Sequence, residues 1–159
     1  MNTGSIRNIS LSILFFLFFF LGISQEKALD SLSSLLRSNQ KQDSVRVGIL
    51  LDIAKRMNHS DPENAFPYVD EAIEISSKLD WQRGMALSYT QKGNLYYVVA
   101  DNLKALDSFH KALRISEKIS DKPLELSLLN NLANIHADLK EYDKALEKYE
   151  TFLSTSEEL

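Results

Sequence analysis

The chain has 159 residues, 44% of them hydrophobic and 25% charged, with a formal net charge of -4. That is the balance of a folded domain rather than a disordered tail, and its negative sign gives no general attraction to a phosphate backbone, so nucleic acid is not an expected partner. The absence of cysteine excludes a disulfide framework, a thiolate metal site and a cysteine nucleophile.

The first element in chain order is a leader. Arg7 is followed by an apolar run from Ile9 to Leu21, interrupted only by Ser10 and Ser12. A bilayer-spanning helix wants about 20 apolar residues, and this shorter run fits the apolar segment of a secretory signal peptide. Gly22 and Ser24 are the small residues of a cut before Gln25, so residues 1–24 read as a signal peptide. The alternative is an uncleaved anchor. The expected location is outside the cytoplasm, periplasmic or secreted, with membrane attachment only if the leader is retained or the native chain continues. Residues 25–44 follow as a leading helix, in which Leu29, Leu32, Leu35 and Leu36 give one apolar face.

The remainder, 45–159, repeats. Ala65, Ala105 and Ala145 are spaced by 40, as are Ala72 and Ala112, Phe109 and Tyr149, and Gly93 and Ala133. Internal periods of 20–50 residues are the mark of stacked architectures. Within each unit, apolar residues recur at three- and four-residue steps on two segments, such as Leu129, Leu132, Ala133 and His136, then Ala145, Leu146, Tyr149, Phe152 and Leu153. Each unit therefore reads as a helical hairpin, with boundaries 45–83, 84–122 and 123–159. Asp80 and Asp121 are expected helix caps between units, and Ser60 or Asp61 caps the helix that Pro62 opens. Antiparallel helices approach closely where side chains are small, so Gly93 or Ala133 is expected to meet Ala105 or Ala145. Tyr96 is expected in the core, and Trp81 packed under its turn.

These residues resemble the tetratricopeptide repeat. Leu129, Leu132, Ala133, His136, Tyr142, Ala145, Tyr149 and Phe152 stand at the family's marker positions in the last unit. Tyr89, Gly93, Tyr96, Ala105, Phe109 and Ala112 do so in the second. Phe152, Lys92 and Asn102 depart from the pattern. The resemblance implies an all-α fold of helix-turn-helix repeats stacked as a right-handed solenoid. The usual period is about 34 residues, so the longer period here predicts a longer second helix or a longer turn after it.

The resemblance also implies a concave groove that holds a protein or an extended peptide. Its expected lining includes Lys55, Thr90, Asn94, Tyr97, Asn130 and Asn134, with Leu51, Leu87 and Asp138. A 40-residue period behind a signal peptide further resembles the extracytoplasmic sensor region of bacterial signalling proteins, with a free-standing scaffold as the alternative.

No catalytic signature accompanies the repeat. His59, His110 and His136 lack metal-ligand spacing, and there is no phosphate loop, nucleophile elbow or dinucleotide turn. His136 lies on an apolar stripe and reads as a core residue; His110 reads as exposed. No cofactor, metal or catalytic residue is expected. On the last helix, Tyr149, Phe152 and Leu153 belong to the stripe that a following helix would cover, so they form an expected contact surface for self-association or chain continuation.

Overall fold

The computed structural model describes residues 27–157, and the leader read at 1–24 lies outside them. The described chain is seven helices with no strand. These are α1 (27–38), α2 (Ser44–Met57), α3 (Pro62–Lys78), α4 (Gln82–Val98), α5 (Asn102–Lys118), α6 (Lys122–Asp138) and α7 (Tyr142–Glu157). From α2 onward each helix packs on its neighbours in sequence, the contact pattern of a tetratricopeptide-like solenoid.

The turns explain the period. Helices α3 to α6 are each 17 residues long, and three residues separate each from the next. Hence the period of 40 is two steps of 20. The added length is shared by both helices of a unit, and neither the second helix nor its following turn is the longer element.

Each three-residue turn closes in the same way. The amide of Asp80 returns to the Ser77 carbonyl and that of Trp81 to Ser76, and the pattern recurs at Ala100–Asp101, Ser120–Asp121 and Lys140–Glu141. This is the reverse turn that satisfies the last carbonyls of a helix. It requires a left-handed residue, and φ is 49° at Asp80, 60° at Ala100, 57° at Ser120 and 60° at Lys140. None of the four is glycine. An L-residue in this region carries a steric cost of roughly 1–2 kcal/mol. Allowing for glycine's greater chain entropy, Ala100→Gly is expected to raise stability by roughly 0.5–1 kcal/mol. A urea midpoint that stays put or falls would contradict this.

The following helices start on side-chain caps where chemistry allows. Asp101 accepts from the Lys104 amide and Asp121 from the Leu124 amide. Asp80 is not a cap, contrary to expectation. It occupies the left-handed position, and the cap residue is Trp81, which makes no side-chain cap bond. The Trp81 indole instead closes over Gly84 beside Ser76, where a β-carbon on Gly84 would collide with both. At the start of α3, Asp61 is the cap residue, but its carboxylate accepts from the Asn64 side chain rather than from an amide.

The repeated alanines are buried: Ala65, Ala72, Ala105, Ala112, Ala133 and Ala145. The nearest groups to a β-carbon on Gly93, however, would be atoms of the Phe109 ring at 2.6–2.9 Å. The glycine thus makes room for an aromatic ring from α5. Tyr96 packs against the core, and its ring meets that of Phe66 at a 48° tilt with centroids 4.8 Å apart, tying α4 to α3.

Helix α1 covers the first unit with Leu29, Leu32 and Leu36, packed on the cluster of Ile49, Ile53 and Val69. Leu35, expected on that face, is exposed. Arg46 on α2 fastens this helix. Its guanidinium donates to the Leu36 and Asn39 carbonyls at 3.1 and 2.6 Å and pairs with Glu71 of α3 at 2.6–2.7 Å.

Candidate functional site

The first helices of the units form one layer. Helix α2 touches α4 directly, and no comparable backbone contact joins α3 to α5 among the described residues. The Tyr97 hydroxyl on α4 donates to Asp138 on α6 at 2.5 Å. A backbone contact thus joins α2 to α4, and a side-chain hydrogen bond joins α4 to α6, in the layer whose outer face is expected to line the groove.

The residues expected on that face fall at helical spacing. Leu87, Thr90, Asn94 and Tyr97 recur at steps of three and four along α4, and each keeps solvent access. Asn130, Asn134 and Asp138 do the same on α6 and are exposed. On α2, Lys55 is exposed and Leu51 half-buried. The Tyr97–Asp138 bond brings the α4 and α6 rows onto one surface. The same bond, then burial and the Asp138 charge, raises the Tyr97 pKa.

The chemistry of this face is mostly that of neutral amides and hydroxyls. An asparagine amide offers two donors and an acceptor, the complement of a peptide backbone. Asn134 is already oriented, because its Oδ1 accepts from the Tyr149 hydroxyl at 2.7 Å. That leaves its NH2 group outward. Thr90 gives its hydroxyl proton to the Ala86 carbonyl, so its oxygen remains as an acceptor. Tyr149, expected on the terminal contact surface, thus also orients a residue of the groove face. The pair is 15 residues apart on antiparallel helices, and nothing in the period reports their crossing.

Lys55 belongs to a second, more charged cleft at the end of α2, lined by Asp52, Lys55, Arg56, His59 and Ser60. It adds cations to a surface that otherwise offers amides, hydroxyls and the Asp138 carboxylate.

The histidines are placed differently from one another. His136 is buried, and its Nδ1 lies 2.7 Å from Glu141. The Lys144 ammonium, and after it His136, hold the Glu141 carboxylate below its usual range. His110 is half-buried, not exposed as expected. Burial lowers its pKa, as do Lys148, His136 and Arg114 nearby. Among the described residues no cluster of three or more His, Asp or Glu is arranged to hold a metal ion.

On α7, Tyr149 and Leu153 are exposed together with Tyr142 and Leu146. Phe152 turns inward and packs against the cluster containing Leu113 and Leu129.

Residues 84–158 match the family described as tetratricopeptide repeat. Over 76 residues, 48% of this chain, the sequence is 41% identical to the 43 kDa receptor-associated protein of the synapse from Gallus gallus. The matched stretch is 17% of that protein's length, so the chain spans less than a fifth of this curated relative. Neither match extends to the sensor region of bacterial signalling proteins. The similarity to a synaptic receptor-associated protein overturns the exported, periplasmic or secreted location expected from residues 1–24. Among the described residues no helix is long and apolar enough to cross a membrane.

Proposed function

Residues 84–158 are a tetratricopeptide-repeat domain, and from that premise we propose that the chain is a non-catalytic interaction module that holds an extended segment of a partner protein along the α2, α4 and α6 face. The observation that supports this reading is the Tyr97–Asp138 bond, which links the helix carrying Asn94 to the helix carrying the exposed Asn130 and Asn134. An extended backbone presents alternating N–H and C=O groups, and amides at helical spacing can meet them without demanding particular side chains. Lys55 adds a place for one acidic group at the α2 end. Similarity to a receptor-associated protein supports a role in holding another protein.

The test is a peptide array of extended 12-residue segments, followed by titration of the strongest binder. Each amide hydrogen bond contributes about 0.5–1.5 kcal/mol. The double variant N94A/N130A should therefore weaken binding by about tenfold, with circular dichroism unchanged. Equal weakening by Lys118→Ala on α5, or none in the double variant, would remove the groove from consideration.

A further inference from the structure

The apolar core is interrupted between α3 and α4. Buried clusters built on Ile49, Ile53 and Val69 and on Val47, Leu50 and Ile75 hold α1 to α3 together. Another, from Ala86 through Phe109 to Leu132 and Ile135, holds α4 to α7. Among the described residues, Leu95 is the one buried side chain of α4 that belongs to the first group. The α4 face turned to the first three helices runs Gly84, Ser88, Gln91 and Leu95, all buried and at helical spacing. Gly84 lies against Ser76 of α3. Two buried polar atoms here, Ser76 Oγ and Gln91 Nε2, have no hydrogen-bond partner among the described residues. A buried donor or acceptor left unmade weakens the interface that encloses it.

The next seam, 40 residues on, has the opposite chemistry. Leu124, Leu128 and Ile135 stand where Gly84, Ser88 and Leu95 stand in the first, and all three are buried in one cluster with α5. Ser116, the counterpart of Ser76, gives its hydroxyl proton to the Leu113 carbonyl. Asn131, the counterpart of Gln91, is half-buried and keeps access to water. The first seam has two further ties, the Phe66–Tyr96 ring contact and the Lys92–Asp70 ion pair at 2.7 Å. The carboxylate of that pair is exposed, and exposed pairs contribute little.

We propose that this seam is a joint: α1–α3 form a block that opens as one unit while α4–α7 stay folded, and the unpartnered Gln91 amide makes the seam yield. In a stack each unit is bound only to its neighbours, so the chain parts first at its weakest interface. The joint crosses the α2, α4 and α6 face. Lys55 lies on one side of it, and Asn94, Asn130 and Asn134 lie on the other. The distance from that cation to those amides can therefore change without breaking the core of either block.

Native-state amide exchange of the full chain in rising, sub-denaturing urea reads the joint directly. Amides of α2 and α3 should converge on one shared opening. It should be at least tenfold more frequent than that of α5 and α6, and less steeply dependent on urea, because it exposes less surface. Gln91→Met keeps the volume and removes the unpartnered amide, so it should make this opening about tenfold rarer. Ile135→Val acts inside the second block. It should make the opening of α5 and α6 about twofold to tenfold more frequent and leave that of α2 and α3 unchanged. The proposal is overturned if α2 and α3 share the opening of α5 and α6, or if they open separately in a graded series, as in fraying from an end. It is equally overturned if Ile135→Val speeds both blocks alike, or if Gln91→Met leaves the α2 and α3 opening as frequent as before or more so.

Discussion

Phe109→Ala is expected to destabilise the protein by about 3–5 kcal/mol, a large part of a typical total of about 5–15 kcal/mol. Phe109 is 1% exposed and heads the fully buried side chains in size. Its ring joins α4 to α5 through contact with Gly93 and lies in the cluster that α6 closes. Removing it opens a cavity in the middle of the stack, where neither neighbour can collapse without parting from its own contacts. The glycine beneath makes the test sharper. In an exposed helix Gly→Ala gains about 1 kcal/mol, and Gly48→Ala should do so, since a β-carbon there meets nothing within 4 Å. At Gly93 the same β-carbon would press on the ring at 2.6–2.9 Å, and overpacking costs about 1–3 kcal/mol. Gly93→Ala alone should therefore lower stability. In the Phe109→Ala background it should be neutral or stabilising, because the new methyl enters vacated space. Urea titration of the four species gives the coupling. Additive effects, or a Gly93→Ala gain equal to that of Gly48→Ala, would mean that the ring does not set the spacing of α4 and α5.

That contact marks the limit of what sequence could reveal. The small residues at offsets of 40 were legible because packing demands them at every interface. Which large group each one faces depends on the crossing of two helices, and at Gly93 that group is Phe109. The true 20-residue step was hidden for another reason. Its turn positions are occupied by Asp80, Ala100, Ser120 and Lys140, which share a backbone conformation and no chemistry. A glycine at each would have announced them. Asp101 and Asp121 were readable as caps, but Trp81 at the equivalent place was not, because it works by covering Gly84 instead of accepting a hydrogen bond. In the candidate site, the row Thr90, Asn94 and Tyr97 followed from helical spacing. The bonds that orient it, Tyr97 to Asp138 and Tyr149 to Asn134, cross between helices. His110 was misplaced for the same reason: its surroundings include His136 and Lys148 from α6 and α7, and neither is near it in sequence.

Arg46 escaped notice because no other unit has its counterpart, and its replacement should have the second large effect. Its side chain is 17% exposed, and its donors reach two carbonyls at the end of α1 and a carboxylate on α3. The last carbonyls of a helix need partners, and here one guanidinium supplies them while its charge is balanced by Glu71. Arg46→Ala removes all these bonds at once. Hydrogen bonds to a charged group are worth about 1.5–3 kcal/mol, and Glu71 remains solvated enough to recover part of its loss. A net cost of about 2–3 kcal/mol is expected. Arg46→Lys should recover only part of this, since an ammonium can stay with Glu71 but lacks the planar fork that spans both carbonyls. The loss should also be local. Helix α1 meets the rest through three leucines of one face, so without Arg46 it should open first. Amide exchange in residues 27–38 should accelerate while α5 and α6 keep their protection. Uniform acceleration along the chain would show that Arg46 stabilises the whole stack. Unchanged exchange in α1 would show that the leucines hold it unaided.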